Sequence, residues 1–540
     1  MGLYIHATIN LKGISDKDWE SAWQKSLDIF KRFPLPLSRH TIETELGEKR
    51  HVYSQNLVLN KGKKDECWYL EGDLVSMQSS ETFVLYRHLE TYKEKYSSHH
   101  GCFEESVFKT DDATYPSSSN GIELWDSKTQ GYPFHLAILA VGIVLENQFP
   151  DNCYIHGDIE EKQVEVMLEW LKTVYGKSFS HPICFDADRL YEKLDVVYTN
   201  KKALFERFTC LYQGDRTDEF KALMRFMGKK ATYDHYAKDL NEYDSLSQWG
   251  ARDILRCVLE VSEDVLELVA FVENAIAHRP KKSKAFEWSD VLEMLCGDYI
   301  FVNPVQRESM QRLTNKGEDM DNINDVFGRL FMKMSGMPHI SPLYVPKDEL
   351  LEIFALRDPK NGEKYKKILD DAENKFAKTT KAVNESIQAI DENLEKNTEF
   401  QEEIEKKEDA IENYAPHEQY IVRQAVQQQD RFGAYETNVP TIRKSLDKML
   451  EKHGVFYDKK TVEEYLKEIY QYSFKAGFGV SEKGWKAIDA LQDIGILKYL
   501  FALASINNDE MTFWRWRKHI FETPETWQYF KAAQAETERR

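Results

Sequence analysis

The chain has 540 residues, of which 42% are hydrophobic and 13% aromatic, so it is long enough for several cores and too apolar for wholesale disorder. Its 91 acidic residues outnumber 72 basic ones, which gives a net charge of −19. A field of this sign repels nucleic acid and anionic membranes and favours basic partners. The composition therefore argues against a nucleic-acid-binding or membrane-surface protein.

The first region, residues 1–125, predicts a small α+β domain. LYIHATINL, HVYSQNLVLN and CWYLEGDLV are predicted strands, because they are rich in β-branched and aromatic residues. A helix is predicted after the cap Ser15, and TFVLYRHLETYKEKY predicts a second one. The apolar residues of the first helix share one face: Trp19, Trp23, Leu27 and Phe30.

Residues 126–345 predict a helix-rich domain with a few short strands. The apolar run from Phe134 to Leu145 is shorter than the roughly 20 residues that cross a membrane, so we expect a buried helix and no membrane span. RDILRCVLEVSEDVLELVAFVENAIAHRP predicts one long helix. CYIHGD, PICFD and DYIFVNP predict short strands between the helices.

Two aspartates of this region, Asp158 and Asp186, each stand between a short apolar run and a predicted helix. Asp is a preferred N-cap, and Glu161 stands where a capping-box acid would reach back. We therefore predict that Asp158 accepts a hydrogen bond from the backbone N–H of Glu160 or Glu161, and that Asp186 caps its own helix. In the alternative, both carboxylates meet at one sheet edge and share a divalent cation, with His156 as a candidate base.

His99, His100 and Cys102 are the closest group of soft metal ligands. No second ligand pair follows at zinc-site spacing, so we favour a solvated loop over a metal site. G-x-S-x-G, G-x-x-x-x-G-K-[ST], H-E-x-x-H and G-x-G-x-x-G are all absent. The sequence therefore predicts no cofactor and favours a protein that is not an enzyme.

Residues 346–418 contain a long heptad-bearing, coiled-coil-like segment. Phe376, Val383 and Ile390 recur every seven residues, with Ile387 among the apolar residues between them, as in the seam of a coiled coil. The second half, residues 391–412, holds ten acidic and three basic residues. The acidic residues that we predict to contact a partner are Glu402, Glu403, Glu405 and Glu408.

Residues 419–540 predict a C-terminal helical domain. MTFWRWRKHIF, residues 511–521, mixes rings and cations as single-stranded nucleic-acid sites do, but Phe513, Trp516 and Ile520 share one helical face. We therefore predict core packing there, with Arg515 and Lys518 pointing outward.

The fold class predicted for the whole chain is mixed and mainly α-helical, and the scattered cysteines and the absence of a secretion signal predict a cytoplasmic location. We expect an interaction or scaffold protein that holds a protein partner, or a second copy of itself, through the heptad helix and acidic surface. Two alternatives remain open. One is a metal-dependent hydrolase or nuclease using Asp158 and Asp186, and the other is an acidic inhibitor or immunity-type protein that sequesters a basic toxin or nuclease.

Overall fold

The chain is mainly α-helical with a few small sheets, which confirms the predicted fold class. It divides into two compact units. The first unit comprises residues 1–200 and 409–540, and the second comprises residues 201–408. The four-domain division drawn from the sequence stays a prediction. The computed structural model describes residues 3–35, 37–54, 65–73, 78–96, 121–280, 286–298, 300–302, 343–374, 414–430, 460–507 and 511–528, with residues 411, 447, 448 and 530. In these ranges no helix has both the length and the apolar character to cross a membrane.

The first unit combines short strands with helices. Its strands are β1 Tyr4–Ile9, β2 Ser38–Glu43, β3 Lys49–Ser54, β4 Cys67–Asp73, β5 Gln78–Tyr86, β6 Ile122–Lys128, β7 Cys153–Gly157 and β10 Gly479–Ser481. Its helices are α1 Asp16–Arg32, α2 Leu89–Tyr96, α3 Phe134–Gln148, α4 Glu161–Tyr175, α5 Ala187–Val197, α13 Pro416–Asp430, α14 Val462–Lys475, α15 Glu482–Asp489, α16 Ile494–Ser505 and α17 Met511–Glu522.

The first sheet is antiparallel, with the strand order β6-β1-β7. Side chains alternate between its two faces, so Ile5, Ala7 and Ile9 are 0% exposed on the inner face. Helix α3 contacts β1 and β7, and its residues from Phe134 to Glu146 are all buried. The buried helix predicted from the apolar run is confirmed.

Helix α1 begins as predicted, because the Ser15 hydroxyl accepts the Asp18 N–H at 3.1 Å, and its four predicted face residues are all buried. Residues 82–86 correct a prediction, since they belong to strand β5 and not to a helix. Phe83 and Leu85 are both 0% exposed on β5, which pairs antiparallel with β4. Because these two buried residues alternate along the chain, residues 82–86 form a strand, although their apolar pattern also fits a helix.

The second sheet joins distant parts of the chain, with the order β10-β3-β2 and a parallel pairing of β3 with β10. Val52 of β3 belongs to the same core as the buried residues of α14, α15, α16 and α17. Phe513 and Ile520 of α17 are buried in that core, as predicted. The outward position predicted for Lys518 is wrong, because Lys518 is only 9% exposed and its ammonium lies 4.6 Å from the Tyr53 ring centroid.

The second unit is built mainly from helices. They are α6 Lys201–Leu211, α7 Arg216–Phe226, α8 Lys229–Asn241, α9 Trp249–Ser262, α10 Val265–His278, α11 Trp288–Asp298 and α12 Lys347–Arg357, with the short parallel strands β8 Ile300–Phe301 and β9 Leu343–Tyr344. The single helix predicted for residues 252–280 is wrong. Glu263 has φ 51°, and Asp264 caps α10 by accepting the Leu266 N–H at 2.8 Å, so the chain breaks into α9 and α10.

Candidate functional site

The outer side of the first sheet carries a group of polar and aromatic residues, which we call the polar face. Because β1 alternates, Tyr4, His6 and Thr8 point away from α3, although Thr8 and its cross-strand partner Tyr154 are themselves buried. Cross-strand partners from β6 and β7 complete three rows. The polar face consists of Lys128 and Tyr4, then Asp126, His6 and His156, then Glu123, Thr8 and Tyr154.

The central row places a carboxylate and two imidazoles directly beside one another. His6 is opposite Asp126 on one side and opposite His156 on the other. His6 Nδ1 lies 2.9 Å from Asp126 Oδ1, and these side chains are 30% and 44% exposed. The two imidazole centroids are 4.8 Å apart, and their planes differ by 9°. Since a carboxylate can only accept, the neutral His6 ring donates from Nδ1 and keeps its lone pair on Nε2.

Neighbouring rings and one glycine hold this row in place. The Tyr4 ring stacks on His6 at 5.8 Å between centroids, and the Tyr154 ring stacks on His156 at 4.9 Å. Gly157 has φ +134°, and a Cβ there would lie 2.5 Å from the Tyr4 carbonyl oxygen and 3.2 Å from the His6 ring. Only glycine therefore allows β7 to end this close to His6.

The charges of the polar face are mostly negative. Burial raises the pKa of Glu123, the charge of Asp126 adds to this rise, and His6 opposes it. Lys128 is the cation of the face, and its ammonium lies 3.5 Å from Glu81 Oε1 and 5.3 Å from the Tyr4 ring centroid. The centre of the face thus offers imidazole nitrogens next to carboxylates, which suits proton transfer or the binding of a cation.

Asp158 lies at the end of β7 and does not cap a helix, so that prediction is wrong. Its Oδ2 accepts the Tyr4 N–H at 2.8 Å, and its own N–H donates to the Tyr4 carbonyl at 2.9 Å. Helix α4 begins only at Glu161, and Glu160 is its N-cap. The Glu160 N–H donates to Gln163 Oε1 at 3.0 Å. Asp158 thus stands too far ahead of the helix to cap it and extends the pairing of β7 with β1.

Asp186 is the N-cap of α5, as predicted. Its Oδ1 accepts the Arg189 N–H at 3.1 Å. The segment before it is a 3₁₀ turn, Ile183–Phe185, and not the predicted strand. Each of the two aspartates thus has a hydrogen bond to a different backbone N–H, at Tyr4 and at Arg189. Within the described ranges, no group of three or more His, Cys, Asp or Glu side chains is arranged to hold a metal ion.

Glu146 lies on the other side of the sheet and connects the two segments that precede these aspartates. Its carboxylate accepts the Ile155 N–H at 3.1 Å and the Ile183 N–H at 2.6 Å. Burial raises the pKa of Glu146 to about 7, against the lowering effect of these two hydrogen bonds. Cys184 Sγ, next to Ile183, donates to the Ile155 carbonyl at 3.2 Å. Glu146 is therefore a structural link between β7 and the 3₁₀ turn.

His156 is the one predicted catalytic candidate that belongs to the polar face. The sequence did not identify its neighbours His6 and Asp126 as site residues. Strand β1 pairs with strands far along the chain, and no local sequence pattern indicates which residues become its partners. The alternation in LYIHATINL does place His6 opposite the buried positions. The remaining predicted site residues lie outside the described residues: His99, His100, Cys102, Val383, Ile387, Ile390, Glu402, Glu403, Glu405 and Glu408.

Comparison of the chain with protein-family models, with curated proteins and with solved structures gave no match.

Proposed function

We propose that this protein is a cytoplasmic interaction protein that holds a basic protein partner through residues 363–413, which we call the heptad segment. The observation that carries the proposal is the seam of Val383, Ile387 and Ile390. An apolar stripe of this period needs a second helix to cover it, because one helix cannot bury its own stripe. That second helix comes from the partner or from a second copy of this chain.

The start of the heptad segment supports a packed helix. Residues 362–374 are helical, and Tyr365 and Leu369 are both 0% exposed. The Tyr365 ring contacts the Phe354 ring edge-on, with centroids 6.0 Å apart. Lys347 forms ion pairs with Asp370 and with Glu373. A helix that is anchored at this end is a suitable support for an apolar stripe further along.

The charge of the segment supports a basic partner. Residues 391–412 hold ten acidic residues against three basic ones, within a chain whose net charge is −19. Complementary charge increases the association rate more than the final affinity, and salt screens it. An acidic inhibitor of a basic toxin or nuclease is a narrower form of the same proposal.

The metal-dependent hydrolase is the weaker alternative. It needs Asp158 and Asp186 to share one cation, whereas their carboxylates accept the N–H groups of Tyr4 and Arg189. Hydrogen bonds of this kind account for both aspartates without catalysis.

The seam is tested with Val383→Asp combined with Ile390→Asp. We expect a lower melting temperature or a smaller mass by light scattering, because two buried charges in a seam are costly. Unchanged melting together with unchanged mass would count against the seam.

The charge is tested by replacing Glu402, Glu403, Glu405 and Glu408 with Gln and measuring association with partners captured from the native host. We expect slower association, most of all at low salt. A matched control removes four exposed acids elsewhere, which are Glu165, Glu169, Glu463 and Glu482. Equal rates and salt dependence in wild type and both variants would contradict electrostatic capture by the heptad segment.

A further inference from the structure

We propose that His6 and His156 bind a divalent transition-metal ion at the centre of the polar face, with Asp126 as the hydrogen-bonding partner of His6. This site is independent of the heptad segment. Two histidines directly opposite each other on neighbouring antiparallel strands project from the same face of a sheet. Imidazole is a ligand that suits Zn²⁺, Cu²⁺ and Ni²⁺.

The two rings lie close enough to share an ion, but each must turn out of the parallel stack first, because a metal ion binds in the plane of an imidazole ring. Their centroids are 4.8 Å apart, and their planes differ by 9°. A metal–nitrogen bond is about 2.0–2.1 Å long, so two nitrogens on one ion lie roughly 3–4 Å apart. The His6 side chain is 30% exposed, which leaves room for its ring to turn toward His156.

Asp126 orients the His6 ring and determines which of its nitrogens can bind the ion. With Nδ1 donating to the Asp126 carboxylate at 2.9 Å, the lone pair of the neutral ring is on Nε2. A metal-binding histidine commonly donates its other ring N–H to a carboxylate, which fixes the ring and makes the nitrogen a better ligand. His156 makes contacts of its own. Because an imidazole has two nitrogens, a hydrogen bond at one still allows the other to bind an ion.

Charge around the row favours a cation, and the number of ligands determines which one. On the polar face, the two carboxylates of Asp126 and Glu123 outnumber the one ammonium, that of Lys128, and this ammonium is paired with Glu81. Two protein nitrogens leave the other coordination positions to water. Such an open site imposes little geometry, so affinity should follow the general order for these ligands, with Cu²⁺ above Ni²⁺ and Zn²⁺. Mg²⁺ and Ca²⁺ prefer oxygen ligands and should not compete.

The test is titration of the full-length protein with Cu²⁺, and separately with Zn²⁺, by calorimetry. Electron paramagnetic resonance of the Cu²⁺ complex reports whether nitrogens bind the ion. We expect one site tighter than the rest in the wild type, and its loss in His6→Gln combined with His156→Gln. Asp126→Asn should weaken the same site roughly tenfold or more, as loss of an outer partner does.

The matched control is His99→Gln, His100→Gln and Cys102→Ser, which removes the other group of soft ligands and should leave the tight site intact. A second measurement needs no variant: bound Zn²⁺ should protect His6 and His156 of the wild type from diethyl pyrocarbonate, as read by peptide mass mapping. The proposal is overturned if the two-histidine variant binds Cu²⁺ as the wild type does, or if the control variant loses the site instead. Unprotected His6 and His156 at saturating Zn²⁺ would overturn it as well.

Discussion

Two segments of the first unit share one local order, an apolar stretch, an aspartate and a helix, yet their aspartates have different partners. Asp186 stands directly before α5 and accepts the N–H of Arg189 in the first turn of that helix. Asp158 is separated from α4 by Ile159 and Glu160, and it accepts the N–H of Tyr4 on another strand. An aspartate caps a helix only when it directly precedes the first turn, where the unpaired N–H groups are.

The same two segments are joined through Glu146, which accepts the N–H groups of Ile155 and Ile183. Asp158 and Asp186 are partly or fully exposed, whereas Glu146 is 1% exposed. A buried carboxylate loses hydration that its hydrogen bonds must replace, so its removal leaves buried donors without partners. The comparison therefore predicts an order in which substitutions lower the stability, with Glu146 having the largest effect and the exposed Asp158 the smallest.

The largest effect is expected from Glu146→Ala. Two buried N–H groups would lose their acceptor, at about 1–3 kcal/mol each, so the free energy of opening should fall by about 2–6 kcal/mol. Hydrogen exchange of the Ile155 and Ile183 amides measures this opening locally. Glu146→Gln keeps an acceptor oxygen and should cost less. The control is Glu165→Ala, at an exposed position of α4, and a Glu146→Ala protein that exchanges like this control would contradict the link.

The second prediction concerns pH. Burial raises the folded-state pKa of Glu146 to about 7, whereas an unfolded glutamate titrates near about 4.3. The folded protein therefore holds a proton that the unfolded chain has already lost. The stability that Glu146 contributes through this proton is complete below about pH 4.3 and is lost as pH rises to about 7, by up to about 4 kcal/mol.

The titratable groups that interact electrostatically with the Glu146 carboxyl are Arg189, Lys193, Cys153 and Cys184. Unfolding of wild type and Glu146→Gln should be measured from pH 4.5 to pH 8. The stability of the wild type relative to the variant should decrease across this range and level off at its upper end. A difference that is constant with pH would show that folding does not raise the pKa of Glu146.

The third prediction tests the cap. Asp186→Ala should lower the stability of α5 by about 1 kcal/mol, the usual loss for an N-cap, and Asp186→Asn should preserve most of it. The amide of Arg189 should exchange faster in the alanine variant, while the Tyr4 amide is unchanged. Faster exchange of the Tyr4 amide would mean that the two aspartates act together after all.

Local patterns predicted the elements whose determinants lie within one stretch of sequence. The cap Ser15 with the buried face of α1, and the apolar run of α3, are of this kind. Where one stretch carries two patterns, the local sequence does not decide between them: Phe83 and Leu85 alternate as in a strand, but their spacing also fits a helix. The break at Glu263 needed a left-handed residue that sequence spacing does not reveal.

The polar face could be predicted only in part. His6 is placed on the outer face by the alternation of β1, and His156 stands in a predicted strand. Their meeting depends on the pairing of β1 with β6 and with β7, and the pairing register is fixed by packing on α3 and by turns. The sequence did not identify Glu146, because a glutamate near the end of an apolar helix is expected to be exposed to solvent. Its hydrogen-bond partners come from two other segments of the chain.

The smallest effect is expected from Asp158→Ala. The hydrogen bond from Tyr4 N–H to Asp158 is exposed, so water replaces it easily and the loss should be about 0.5 kcal/mol. Asp158→Asn keeps an acceptor oxygen and should behave like wild type. Hydrogen exchange separates a strand link from a cap: the Tyr4 amide should exchange faster, whereas the first-turn amides of α4 should be unaffected. The matched change is Gln163→Ala, which removes the acceptor of the Glu160 N–H and should speed the exchange of that amide while the Tyr4 amide is unchanged. If Asp158→Ala instead exposes the Glu160 or Glu161 amide, the aspartate does cap α4 in solution, and the distinction between the two segments fails.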